Sequence, residues 1–160
     1  MISPSAPDPA SSVDPVLTTE HEVLISGLTP ATRYWYGVGD ASALLSADTT
    51  HTFVTPPLPG TAQPTRVWIV GDSGEPGPVQ IAVRDAFLGW TGARGADLWL
   101  MLGDNAYSSG TDSEYQAGLF SPYALPLRQW VLWPTRGNHD ALHSGVNNDY
   151  YDFFTLPSQA

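Results

Sequence analysis

Between residues 16 and 57 the chain alternates short β-rich runs with clusters of turn formers. Glu22-Val23-Leu24-Ile25, Arg33-Tyr34-Trp35-Tyr36-Gly37-Val38 and His51-Thr52-Phe53-Val54 read as three strands, separated by turn signals at Gly27 to Pro30 and Gly39 to Asp48. In the second run Tyr34, Tyr36 and Val38 share one face at period two, while Arg33 and Trp35 take the other. Residues 58–65, with Pro59, Gly60 and Pro64, read as a linker, after which the pattern changes to alternating strand and helix. Val67-Trp68-Ile69-Val70 is a continuous apolar run. Gly77-Pro78 then opens a helix whose expected apolar stripe is Val79, Ala82, Val83, Ala86, Phe87 and Trp90. Leu98-Trp99-Leu100-Met101-Leu102 is a second buried run, and Thr111-x-x-Glu114 offers a capping box for a short helix through Phe120. Trp130-Val131-Leu132-Trp133 is the third. Residues 1–15, rich in Ser, Pro, Ala and Asp, show no apolar period and are expected to form a disordered arm.

Composition narrows the chemistry. Sixteen acidic side chains against six basic ones leave a net charge of -10, a field that repels phosphate backbones and anionic lipid heads, so nucleic acid and membrane surfaces are not expected partners. All six basic residues are arginines. The absence of lysine removes the P-loop lysine, the Schiff base and every side-chain amine nucleophile, and the absence of cysteine removes thiolate catalysis, disulfides and zinc-thiolate sites. No stretch approaches the roughly 18 apolar residues of a membrane span, and the first residues lack the basic and apolar regions of a secretory signal.

The three apolar runs, the first two followed by helical segments, imply parallel strands joined by right-handed crossovers, with all three carboxyl ends on one sheet edge. Open α/β sheets bind ligands at that edge. There the sequence places Gly71-Asp72-Ser73-Gly74, Gly103-Asp104-Asn105-Ala106-Tyr107 and Gly137-Asn138-His139-Asp140. An Asp after a strand can equally be a turn or helix cap. Three such ends in register instead bring Asp72, Asp104, Tyr107 and Asn138 together as hard oxygen donors, each Asp and Asn behind a glycine that permits a tight turn. Two carboxylates, a phenol and an amide suit a hard cation, and a carboxylate can bridge two.

These three blocks resemble the first three signature blocks of calcineurin-like metallophosphoesterases, and the tyrosine three residues after Asp104 is similar to that of purple acid phosphatases. The segment Leu24 to Tyr36 with Phe53-Val54-Thr55-Pro56-Pro57 resembles the final strands of a fibronectin type III-like sandwich, a module that precedes the catalytic domain in the same family. The expected architecture is therefore mixed. A partial all-β sandwich (16–57) and a linker (58–65) precede the N-terminal half of an α/β metallophosphoesterase domain with βαβαβ order (66–160).

The resemblance implies a phosphatase of small-molecule phosphate monoesters with a binuclear centre, Fe(III) plus Fe(II), Zn(II) or Mn(II). Asp72 and Tyr107 would bind the ferric ion, Asp104 would bridge, and Asn138 would bind the second ion. Hydroxide held by the metals would attack phosphorus, and His139 would protonate the departing oxygen. A charge of about +5 from the metals, less three from Asp72, Asp104 and phenolate Tyr107, leaves about +2 for a dianionic ester and hydroxide. Asp140 stands where Glu is more usual. The parent family is expected to be secreted or extracytoplasmic.

The same resemblance calls for three histidine ligands beyond the third block, and the chain ends at Ala160 without those motifs. The expected activity of the 160 residues alone is accordingly low or nil, as for a fragment. His143 is the only later histidine and reads as a solvated loop residue, while His21 and His51 read as decoration of the sandwich. Asp149 to Phe154 reads as aromatic packing. Two other readings stand beside the phosphatase. One is an inactive scaffold or interaction module with exposed strand edges. The other is a serine hydrolase, with Gly71-Asp72-Ser73-Gly74 around a nucleophilic Ser73 and His51 as base.

Overall fold

A computed structural model describes residues 2–3, 12–19, 21–142 and 149–156. The chain divides into two compact units, Met1–Pro64 and Thr65–Ala160.

In the first unit, β1 (Ile2–Ser3), β2 (Arg33–Tyr36) and β5 (Thr52–Val54) form an antiparallel sheet in the order β1-β2-β5, and β3 (Val38–Gly39) and β4 (Leu44–Ser46) form a separate hairpin. Tyr34 is buried against Phe53, with ring centroids 5.7 Å apart, and Tyr36 packs on Phe53 and His51, as the period-two reading of β2 requires. Three local expectations are corrected. Residues 22–25 are irregular rather than a strand, with Val23 and Leu24 exposed, because among the described residues no strand offers them a ladder. The segment read as a turn between Gly39 and Asp48 contains β4, and Ile2–Ser3, inside the segment expected to be without structure, pair with Tyr36 and Trp35.

In the second unit β6 (Val67–Val70), β7 (Leu98–Met101) and β8 (Val131–Pro134) are parallel and lie in the order β6-β7-β8, in register at Trp68, Trp99 and Leu132. The expected parallel sheet, with its three carboxyl ends side by side, is present. Helix α1 (Pro78–Thr91) and a 3-10 turn (Gly92–Arg94) connect β6 to β7. Helix α2 (Asp112–Tyr115), a π-helical turn (Gln116–Phe120) and α3 (Ala124–Leu127) connect β7 to β8, and α4 (Asp149–Phe153) follows. Thr111 and Glu114 form the reciprocal capping box that starts α2.

The core stacks Phe87 on Trp68 (4.4 Å, 4° between planes) and Trp68 on Trp99 (4.8 Å), and adds Met101, Tyr115, Leu119, Tyr123 and Tyr150. Tyr150, Phe153 and Phe154 of the last described segment pack here, as the aromatic run suggests. Helix α1, however, is rotated from its expected phase. Only Phe87 of the expected stripe lies against the core, while Val79 (76%) and Trp90 (71%) are exposed. Polar anchors explain the rotation. Gln80 Nε2 donates to the carbonyls of Ser73 (2.6 Å) and Gly118 (2.5 Å), Arg84 donates to Pro122 O, and Thr91 Oγ1 donates to Gly95 O. These bonds satisfy carbonyls that burial would otherwise orphan, so the helix presents a face that includes Gln80 and Thr91.

Candidate metal centre at the carboxyl edge of the parallel sheet

Beyond β6 and β7 the backbone turns through two aspartates with left-handed dihedrals, Asp72 at φ 52° and Asp104 at φ 54°. Asp and Asn tolerate this region better than other side-chain-bearing residues, at a cost on the order of 1 kcal/mol. The aspartates themselves therefore make two of the reversals. Gly103 joins in at φ 105°, whereas the requirement at Gly137 is space: a Cβ there would sit 2.1 Å from the backbone nitrogen of Asp104 and 2.2 Å from its Oδ1. The loops interlock through backbone bonds as well, Asp72 N–H to Gly103 O and Gly74 N–H to Asp104 O, both 3.1 Å.

This packing brings the side chains together. The Tyr107 hydroxyl donates to Asp72 Oδ1 (2.9 Å) and stands 3.1 Å from Asp104 Oδ2, so one phenol oxygen lies between two carboxylates from adjacent strand ends. Asp104 is buried and Asp72 exposed. Desolvation, then the bonds to Asp72 and Asp104, push the Tyr107 pKa well above its ordinary value, so the phenol in this arrangement keeps its proton. Asp104 Oδ1 accepts the backbone N–H of His139 at 2.9 Å. The His139 ring lies on Tyr107, centroids 4.4 Å apart, and its Nδ1 is 2.7 Å from the carbonyl oxygen of Ser108. Asn138 is exposed in the turn between Gly137 and His139, both of which touch Asp104.

Behind these residues lies a polar support that the motif reading left undeveloped. Asp140 is 1% exposed, and its carboxylate accepts the N–H of Asn105 (3.0 Å), the N–H of Gly137 (2.7 Å), the Asn105 side-chain amide (2.9 Å) and the Tyr115 hydroxyl (2.7 Å). It thereby fastens the second block to the third. The shorter Asp reaches all four donors, and its burial was hidden in the sequence behind a motif that reads as a ligand, Asn138, and a proton donor, His139. Glu114, visible only as half of a capping box, also binds the loop after Tyr107, as described below.

The remaining expectations divide. His51 is engaged within its own unit, with Nε2 2.8 Å from Ser46 Oγ and Nδ1 3.0 Å from Asp48 Oδ1. His21 pairs with Asp14. No hydrogen bond among the described residues joins Ser73 to a histidine, so the serine-hydrolase reading has no base at its nucleophile. His143 lies outside the described residues. Among the described residues no group of three or more His, Cys, Asp or Glu is placed to hold a metal ion, so the acidic part of the candidate donor set is the pair Asp72 and Asp104, with Tyr107 and Asn138 beside it. The described residues also contain no helix long and apolar enough to cross a membrane.

Comparison with known proteins bears on this edge. A stretch of 55 residues, 34% of this chain, is 47% identical to "Purple acid phosphatase 23" of Arabidopsis thaliana, of which it covers 12%. The family model for calcineurin-like phosphoesterases matches residues 65–159, more than half of the chain and nearly all of its second unit. A parallel sheet with two interlocked acidic strand ends, matched over its whole length by that model, means that the chain belongs to the calcineurin-like phosphoesterase family.

Proposed function

We propose that the carboxyl edge of this sheet is the metal-binding part of a phosphatase that hydrolyses phosphate monoesters, of the purple acid phosphatase kind. The observation that carries this reading is the Tyr107 hydroxyl set between Asp72 and Asp104. A single proton there bonds oxygens that share a high density of negative charge, and a hard cation would satisfy all three better. The donors fit such a group: Asp72 and Tyr107 would hold a ferric ion, Asp104 with its two oxygens would bridge, and Asn138 would serve a second ion, Fe(II), Zn(II) or Mn(II). When bound, a metal pair supplies Lewis-acid polarisation of a phosphoryl oxygen and activation of water.

The chain's own residues then have separable tasks. The His139 N–H fixes one oxygen of Asp104 and thereby aims the other. The Ser108 carbonyl holds a proton on His139 Nδ1, which makes Nε2 the nitrogen that carries a proton toward a departing oxygen. Asp140 keeps the second and third blocks in contact. The fibronectin type III-like reading of residues 16–57 is supported by the Tyr34 hydroxyl, which bonds the backbone N–H of Thr29 at 2.8 Å, five residues upstream, as a tyrosine corner does. An extracytoplasmic setting goes with the same kinship.

Among the described residues the candidate donors for a second ion are Asp104 and Asn138, and such ions ordinarily need at least three protein ligands. The 160 residues alone should therefore turn over a chromogenic phosphate ester slowly or not at all. Brisk metal-dependent turnover, abolished by Asp104→Asn, would show that the set is complete as it stands. Ferric iron that fails to bind this chain in equilibrium dialysis, or that binds the Asp104→Asn variant equally well, would count against a metal site here.

One observation favours the interaction-module alternative. On the face of the sheet turned away from Trp68 and Trp99, Val67, Ile69, Val131 and Trp133 are exposed, whereas parallel sheets are ordinarily covered on both faces. Concentration-dependent self-association that is indifferent to metals and to Asp104→Asn would support it.

A further inference from the structure

We propose that Glu114 is a positioning residue for His139, acting through the peptide group between Ser108 and Ser109. This rests on the reading of His139 as the proton donor, but the geometry stands without it. A capping box needs one bond from the Glu side chain, to the N-cap N–H, and Glu114 makes it, accepting Thr111 N–H at 2.9 Å. Its carboxylate makes two more, to Ser108 N–H at 2.7 Å and to Ser109 N–H at 3.0 Å. Those two bonds do nothing for the helix start. They seize the loop that follows Tyr107.

The Ser109 N–H and the Ser108 carbonyl belong to the same planar peptide unit and point in opposite directions. Glu114 holds its N–H end, and His139 Nδ1 lies 2.7 Å from its carbonyl end. A carbonyl oxygen can only accept, so Nδ1 carries the hydrogen and Nε2 is left as the exchanging nitrogen. The row of groups is therefore carboxylate, peptide, imidazole. Each bond polarises the next, so an ionised Glu114 makes the Ser108 carbonyl a stronger acceptor and tightens its hold on the ring. Burial acts to raise the Glu114 pKa, but the N–H donors of Thr111, Ser109 and Ser108 and the Thr111 hydroxyl outweigh it and hold the carboxyl below its ordinary value, so it stays charged. Because the His139 ring also lies on Tyr107, the same peptide sets the spacing of the second and third blocks.

The test is the tautomer of neutral His139, read from long-range proton–nitrogen correlation spectra of the 160-residue chain, with His139→Asn to assign the signal and His51, in the other unit, as internal reference. In the unaltered chain His139 should be the Nδ1–H form. Glu114→Ala should convert it to a mixture containing the Nε2–H form while His51 is unmoved. Thr111→Ala, which removes the hydroxyl of the capping box and leaves the Ser108 and Ser109 bonds, should lower stability and leave the tautomer alone. If Glu114→Ala does not fold, Glu114→Gln is judged by the same criterion, since it removes the charge at nearly constant size. A folded Glu114 variant that keeps pure Nδ1–H would overturn the proposal, and so would a Thr111→Ala chain that loses it equally, because the effect would then be helix stability. In a phosphatase containing this edge, Glu114→Ala should lower kcat about tenfold with KM little changed. Absence of any turnover in a longer chain that carries this edge together with further metal ligands would count against the phosphatase reading and leave the tautomer result intact.

Discussion

Two polar clusters in this protein use similar side chains and differ in how they are assembled. In the first unit Ser46, Asp48, Thr50 and His51 meet within six residues, with Asp48 accepting from the Thr50 backbone (2.6 Å) and hydroxyl (2.5 Å) as well as facing His51. Such a set closes its own turn, and its hydrogen bonds are accounted for by local backbone geometry. In the second unit the bonds from Tyr107 to Asp72, from His139 to Asp104 and from Asn105 to Asp140 each span 35 residues. No turn requires them, and they exist only because three parallel strands end side by side. Acidic groups brought together at such a distance in sequence, two of them on left-handed backbone, are what a ligand would justify. The local cluster looks more like a Ser-His-Asp triad on paper, yet it is the dispersed one that lies within the residues matched by the phosphoesterase family model.

The comparison breaks most visibly at the two carboxylates that anchor the clusters. Asp140→Asn turns one acceptor oxygen of a buried carboxylate with four donors into a donor, and should cost about 3 kcal/mol in urea unfolding of the second unit. Asp48→Asn, at an exposed carboxylate, should shift the first unit far less. Similar losses at both positions would mean that the dispersed cluster is no more demanding than a turn.

Glycine substitutions should rank next. Gly137→Ala would force a methyl onto Asp104 and cost about 2 kcal/mol, together with loss of the interlock. Gly60→Ala meets open space at φ 83° and should cost about 1 kcal/mol of backbone strain alone. Denaturant midpoints of the two variants would separate steric from conformational cost.

The smallest effects are pH shifts of opposite sign. Burial first, then in Tyr115 the bond to Asp140, raises the pKa values of Tyr115, Tyr123 and Tyr150. Their contribution is full below the ordinary value of 10.0 and is lost as pH rises past it, so the second unit should weaken on the alkaline side. The Thr50 hydroxyl, then His51 and the Thr50 N–H, lower the pKa of Asp48. Its contribution is therefore full above 3.8 and is lost as pH falls below that value, in the first unit. Following unfolding with the ring signals of Tyr115 and His51 as separate reporters would test both signs.

How far the sequence revealed these features follows from the same contrast. The strands of the second unit were legible because each is a continuous apolar run, and the interlocked edge because the first two runs end in Gly-Asp and the third is followed, four residues on, by Gly137-Asn138. The face of α1 was not, since it is chosen by Gln80 and Thr91 bonding to carbonyls of distant residues, which hydrophobic periodicity cannot register. The strand expected at 22–25 failed because a β-rich run becomes a strand only where a partner exists. Glu114 and Asp140 were hidden for a third reason. Each has an ordinary local explanation, a capping box or a motif position, and its further bonds reach across the fold.

The most direct test adds ferric iron to the purified 160-residue chain and follows visible absorption. If the dispersed cluster holds the metal, a phenolate-to-iron charge-transfer band should appear, vanish in Tyr107→Phe, weaken in Asp72→Asn, and persist when His51→Ala dismantles the local cluster. A chain that develops no band, or a Tyr107→Phe variant that keeps it, would contradict the placement of the metal centre at Asp72, Asp104 and Tyr107.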